Sequence, residues 1–173
     1  DRWSRPRQRR LLLAGALEAV ITLLALRHGF VPGTVNTRRA DPQLGLRLQL
    51  ETDMRRGLMD DEFFLVYQPQ IEMQTGRACG VEALLRWRDP ERGIIGPNEF
   101  IPIAEESGMI QALGARVLRD ACRQVVQWHR QGMQLRLSVN LSVQQLQHDS
   151  WLSVVEDALR GSGLAARYLD LEI

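Results

Sequence analysis

Three short segments alternate apolar and polar residues with a period of two, and this pattern constrains the fold more than any other feature of the chain. Val81-Glu82-Ala83-Leu84-Leu85-Arg86-Trp87 puts Val81, Ala83, Leu85 and Trp87 on one face and Glu82, Leu84 and Arg86 on the other. Leu137-Ser138-Val139-Asn140-Leu141-Ser142 separates its apolar residues from Ser138, Asn140 and Ser142, and Leu169-Asp170-Leu171-Glu172-Ile173 sets Asp170 and Glu172 opposite a complete apolar face. Successive side chains of a strand point to opposite faces, so each segment reads as a strand with one apolar and one polar side.

What lies between these strands decides how they pair. Leu50–Met59 reads as a helix leading into a strand, Phe63–Ile71, and Gln74-Thr75-Gly76-Arg77 is a hairpin-type turn into the strand Cys79–Trp87. Asp89–Gly96 reads as a polar loop, and Pro97 opens a helix that Gly108 breaks. Ile110–Gln131 places Leu113, Val117, Ala121, Val125 and Trp128 at helical spacing, a single apolar stripe. Leu135–Leu141 is a strand, Trp151–Leu159 a helix stopped by Gly161-Ser162-Gly163, and Tyr168–Ile173 a further strand. Strand, helix, strand, helix, strand with short connections implies an α/β fold with parallel pairing and helices packed outside. The first hairpin adds one antiparallel strand. An α/β barrel and an open sheet both fit.

Parallel strands covered on both sides should be continuous hydrophobic runs. Here three of them carry a carboxylate or an amide instead, and buried carboxylates are costly unless paired or bound to a metal. Glu82, Asn140 and Glu172 are the oxygen donors a hard cation such as Mg²⁺ or Mn²⁺ takes. In α/β barrels such residues stand at the carboxyl ends of strands, where chemistry is done. The pattern leaves a second reading open, in which Glu82 pairs with Arg86 and Asn140 only caps a loop.

Composition narrows the class. The chain is 45% apolar and 25% charged, as in a globular protein, and its formal charge of +1 gives no field that would favour a nucleic-acid polymer or a membrane surface. Its basic residues are all arginine. Cys79 and Cys122 are too few and too far apart for a disulfide framework or a zinc site, and read as reduced, buried thiols of a cytoplasmic protein. His28, His129 and His148 lack ligand spacing. Leu11–Leu26 is apolar behind an Arg-rich start but carries Glu18 near its middle. A membrane span needs about 20 residues, and a central carboxylate costs about 2.5–3.5 kcal/mol on insertion scales. A soluble helix is expected there and a membrane role is not. The chain changes texture near residue 48, after an Ala/Leu-rich helix candidate (Ala14–Arg27) and a Pro/Gly/Asn-rich extended stretch, Val31–Leu46. Two segments are therefore expected, 1–48 and 50–173.

The residues on the polar faces also carry a family resemblance. Glu82-Ala83-Leu84-Leu85-Arg86-Trp87 resembles the E-A-L-x-R-W signature of EAL domains, and Tyr67-Gln68-Pro69-Gln70-Ile71 resembles the strand before it. Pro97 to Gly108, with Glu99-Phe100-Ile101-Pro102, Ala104-Glu105 and Ser107, resembles the first barrel helix. Ser138-Val139-Asn140-Leu141-Ser142 and Leu171-Glu172-Ile173 resemble two further strands, so five motifs follow in order. The resemblance implies a partial TIM-like (β/α) barrel of EAL type with one antiparallel strand, preceded by a helical and extended N-terminal segment. It implies metal-dependent hydrolysis of cyclic-di-GMP to pGpG with Mg²⁺ or Mn²⁺. By the same resemblance Glu82, Asn140 and Glu172 are metal ligands, Glu82 being central to catalysis, and Gln68 and Arg86 contact the dinucleotide. An EAL homodimer is also implied as a partner arrangement.

The family's paired aspartates, its lysine and its later glutamate and glutamine would fall beyond Ile173, and the chain contains no lysine. A degenerate module that binds cyclic-di-GMP or a protein partner without turnover is the alternative reading. Residues 14–48, with Ala14-Gly15-Ala16-Leu17-Glu18-Ala19 and Val31-Pro32-Gly33-Thr34-Val35-Asn36, are similar to the C-terminal region of β-ketoacyl-ACP synthases. The catalytic histidine of that family would align with Arg9, so no synthase chemistry is implied. With half of the family's active-site residues outside it, the purified 173-residue chain is expected to bind cyclic-di-GMP weakly at most and not to hydrolyse it with Mn²⁺. A nucleotide-release assay checks this, and turnover abolished by Glu82→Gln would overturn it.

Overall fold

The computed structural model describes residues 42–173. The apolar run Leu11–Leu26, the helix candidate Ala14–Arg27 and most of the synthase-like stretch lie outside them. Leu46–Ile173 forms one compact unit.

In chain order the elements are α1 (Pro42–Met59), β1 (Phe63–Ile71), β2 (Ala78–Asp89), β3 (Gly93–Ile95), α2 (Pro97–Glu106) and α3 (Ile110–Arg130). They continue through β4 (Arg136–Asn140), α4 (Val143–Leu146), α5 (Trp151–Ser162), a 3₁₀ turn at Ala166–Tyr168 and β5 (Leu169–Glu172). The sheet runs β1-β2-β4-β5, with β3 also on β2. β1 and β3 are antiparallel to β2, whereas β2–β4 and β4–β5 are parallel. This is the mixed α/β architecture expected, and the sheet is not closed.

The apolar faces of β2 and β4 form the core, whereas that of β5 does not: Leu169 is half-buried, and Leu171 and Ile173 are exposed, because no helix among the described residues covers this end strand. Val81, Ala83, Leu137, Val139 and Leu141 are buried against Val117, Leu118, Ala121, Cys122 and Val125 of α3 and Trp151 and Ala158 of α5. The α3 stripe is as expected, except that Trp128 is half-buried and meets Tyr67 edge-on at 4.9 Å. A second cluster joins α1, β1 and α2. Phe63 stacks on Trp87 at 5.4 Å, Phe100 meets both rings edge-on, and Met54 and Ile95 close the group.

Four expectations need correction. Helix α1 begins at Pro42, inside the stretch read as extended, because a proline in the first turn needs no N–H donor and presets the helical φ. The loop Asp89–Gly96 contains β3, which folds back so that Ile95 pairs with Trp87 and buries its side chain. Cys79 is exposed; only Cys122 is buried. Helix α5 runs through Gly161 to Ser162 and ends at Gly163, whose φ of 79° is the left-handed cap glycine accepts.

An ionic cluster locks α1 to the β2–β3 turn. Arg92 Nη1 donates to Asp53 Oδ2 at 2.9 Å and to Asp89 Oδ2 at 3.1 Å, while Arg56 lies 3.7 Å from Asp89. Asp89 Oδ1 accepts the backbone N–H groups of Glu91 (2.9 Å) and Arg92 (2.7 Å). Burial opposes ionisation of Asp89, but these two N–H groups and the guanidiniums of Arg92 and Arg56 outweigh it and hold the carboxyl below the usual range. A depressed carboxyl contributes stability above its unfolded-state pKa and loses that contribution as pH falls through the folded value. Asp89→Asn is therefore expected to cost about 1–3 kcal/mol at neutral pH. Urea melts of both proteins should show the difference shrinking below pH 3.8, the group's ordinary value.

Candidate functional site

The polar face is laid out by the strand registers. Gln68 pairs with Glu82, Glu82 with Ser138, and Ser138 with Asp170, which makes one row across the four main strands. The next row toward the carboxyl end of β4 holds Asn140 opposite Glu172. Side chains directly opposite one another in a ladder share a face. The sheet therefore gathers Gln68, Glu82, Asn140 and Glu172 on one side.

Asn140 Nδ2 donates to Glu82 Oε1 at 2.6 Å, across the β2–β4 boundary. The pairing of Glu82 with Arg86 is not formed; Arg86 Nη1 donates to the carbonyl of Leu85 at 2.8 Å. Asn140 stands between the two carboxylates, bonded to one and opposite the other in register. Glu82 is half-buried, and Asn140 and Glu172 are exposed. Among the described residues no three His, Cys, Asp or Glu side chains cluster as a metal site. The candidate set is two carboxylates and a carboxamide, all able to offer oxygen to a hard cation.

Beside this row the sheet opens. β1 pairs with β2 from Ala78 to Trp87, so β4 and β3 share the other edge. β4 pairs with Gly80–Ala83 and β3 with Trp87–Asp89, which leaves Leu84–Arg86 unpaired on that side. A cavity of about 360 Å³ lies there, with Leu84, Arg86, Glu105, Asn140, Ser142 and Gln145 among its lining residues. Two titratable groups near the core are unsuited to act as base or nucleophile. Burial, with the nearby Asp120 and Cys122, pushes Tyr67 up to about 12, and burial pushes Cys122 up to about 11.

Past Asn140 the chain turns at once. Ser142 begins α4, its Oγ accepting from Gln144 N at 3.2 Å while Gln145 Oε1 accepts from Ser142 N at 3.0 Å. This reciprocal cap was legible as Ser-x-x-Gln, a signal the sequence reading passed over. Ser142 Oγ also donates to Glu105 Oε1 of α2. Gln145 is 2% exposed and presses on α3 where Gly114 removes a side chain. A Cβ at position 114 would stand 1.7 Å from Gln145 Nε2 and 3.0 Å from Trp151 Cη2.

This combination defines a class: a mixed α/β sheet with helices on its outer face and oxygen donors at strand ends. Residues 51–173, well over half the chain, match the EAL domain. The chain belongs to the EAL family. It is 40% identical over 155 residues, 87% of its length, to the cyclic di-GMP phosphodiesterase NbdA of Pseudomonas aeruginosa. It is 39% identical over 126 residues, 73% of its length, to the cyclic di-GMP phosphodiesterase PdeR of Escherichia coli. It spans about a fifth of each, 20% and 19%. Among solved structures, the PaMucR phosphodiesterase in complex with c-di-GMP superposes with a TM-score of 0.70 at 40% identity, covering 72% of this chain and 51% of that one. The EAL enzyme Bd1971 with cGMP bound superposes with a TM-score of 0.68 at 27% identity, covering 90% and 41%.

The approach of α4 to α3 makes a direct prediction. Ala is about 1 kcal/mol better than Gly in a helix interior, yet Gly114→Ala must displace Gln145 and its bond to Ser142. Urea melts are expected to find Gly114→Ala less stable by about 1–2 kcal/mol, whereas Gly161→Ala, with open space around its Cβ position, should not be destabilised.

Proposed function

We propose that residues 51–173 are the part of a cyclic-di-GMP phosphodiesterase that supplies metal ligands and dinucleotide contacts. Glu82, Asn140 and Glu172 hold Mg²⁺ or Mn²⁺, and Gln68 and Arg86 bind the substrate. The observation that carries this reading is the 2.6 Å contact of Asn140 with Glu82, with Glu172 opposite Asn140 in the next strand. Two carboxylates flanking a neutral amide repel each other unless a cation joins them, and that fits a hard divalent ion. The relatives named as cyclic di-GMP phosphodiesterases and the neighbour solved with c-di-GMP support the choice of substrate.

Each residue then has a task. Arg86 borders the opening beside Asn140, where its guanidinium neutralises a phosphodiester approaching the strand ends. Gln68 stands next to Glu82 in the ladder and offers a neutral amide to the same ligand. A bound metal lowers the pKa of water and stabilises charge on the phosphate. Glu82 and Glu172 orient it and keep the site's net charge low.

Manganese alone is enough for the test. In amide spectra of the chain, Mn²⁺ is expected to broaden Asn140, Leu141 and Glu172 first. Glu82→Gln should weaken that effect by at least about tenfold. Broadening centred elsewhere, or none, would overturn the metal assignment. Arg86→Ala is expected to weaken cyclic-di-GMP binding in calorimetry by about tenfold. Micromolar binding that needs no metal would favour a receptor without turnover.

A further inference from the structure

The segment that carries Asn140 is held from three sides. On β5, the carbonyl of Glu172 accepts the N–H of Leu141 at 2.7 Å. On α3, Gly114 makes room for Gln145, whose Oε1 fixes the N–H of Ser142. On α2, Glu105 accepts the hydroxyl of Ser142. The first tie is ordinary ladder bonding, and the second belongs to the cap of α4. The third joins elements far apart in sequence through a carboxylate that packing alone does not require.

Glu105 is half-buried at the same opening as Arg86 and Asn140. Its neighbour Glu106 points outward to Arg47. Ser142 follows Asn140 by two residues, just past the end of β4, and any shift of Ser142 is passed to Asn140 through one intervening residue. Leu141 between them is buried and cannot swing without leaving the core.

We propose that Glu105 is a positioning residue that acts through Ser142 to set the side chain of Asn140 against Glu82. The proposal rests on the reading of Asn140 as a metal ligand, and it goes beyond that reading by adding a residue that does not touch the ion. What Glu105 contributes is an acceptor oxygen aimed at Ser142 Oγ; its negative charge is not needed. That separates it from Glu82 and Glu172, whose charge is the point.

The difference can be measured on the 173-residue chain with Mn²⁺ alone as the probe. Glu105→Ala is expected to weaken Mn²⁺ broadening of the Asn140 side-chain amide about tenfold, as loss of an orienting partner does. Glu105→Gln keeps an acceptor oxygen and should change it by less than about twofold. Ser142→Asp keeps a capping oxygen but sets a carboxylate against Glu105, and it should behave like Glu105→Ala. The double variant Ser142→Asp with Glu105→Gln restores a bond in the reverse direction, with the amide donating, and should recover affinity. Equal loss in Glu105→Gln and Glu105→Ala would overturn the proposal, because the charge would then be what acts. Wild-type affinity in both Glu105→Ala and Ser142→Asp would also overturn it.

Hydrogen exchange of the Leu141 amide, read in the same proteins without metal, separates this proposal from the metal reading. Faster exchange in Glu105→Ala and Ser142→Asp, restored in the double variant, supports the link even if the wild type binds no Mn²⁺. Unchanged exchange across the series overturns it. If Glu105→Ala does not fold, Ser142→Asp against the double variant decides between the same two outcomes.

Discussion

One edge of β2 has to serve two strands, and the rest of the structure follows from that. β1 occupies the opposite edge from Ala78 to Trp87. β4 takes Gly80–Ala83, and β3 takes Trp87–Asp89. A polar group between them cannot complete a ladder on that side, so the sheet parts at Leu84–Arg86. The parting falls beside Asn140, at the carboxyl end of β4. In α/β folds that is the end where ligands are met. The candidate site is thus a consequence of strand competition as much as of its side chains.

Two cores hold that geometry in place. The aliphatic faces of β2 and β4 bury against α3 and α5, while an aromatic group of Phe63, Trp87 and Phe100 ties β1, β2 and α2 together. Trp87 belongs to the same strand as Glu82 and Arg86, so the packed face and the face of the candidate residues share one backbone. The Asp53–Arg92–Asp89 cluster secures the carboxyl end of that strand to α1. Past the carboxyl end of β4, Glu105, Ser142 and Gln145 do the equivalent for the strand that carries Asn140.

Much of the fold was legible because periodicity reports burial. The stripe of Leu113, Val117, Ala121 and Val125 could belong only to a helix lying on a core, and the alternation in β2 and β4 could belong only to strands with one apolar side. Short elements escaped. β3 has three residues and α4 has four, too few for a period to register. Helix α1 was read as beginning late because its first residues look like a turn, and only the helix that follows makes the proline a starting residue. Cys79 was misplaced because alternation carries the apolar face of Val81 and Ala83 back to it, whereas it stands at a register shift near the start of β2 and is exposed.

For the site, the residue types were in the sequence and the partnerships were not. Glu82, Asn140 and Glu172 stood out by being polar where covered strands should be apolar, and the motifs around them gave the family. Neither observation could say that Glu82 bonds to Asn140 and not to Arg86 four residues away, since that choice depends on the register of β4 against β2, a contact between residues 58 positions apart. The role of Glu105 was equally hidden, because its partner lies on a different strand–helix unit. Sequence alone determined which side of each strand is polar, because alternation is a local property of the backbone. Which polar groups meet, and where the sheet opens, was decided only by tertiary structure, because register is set between strands and not within them.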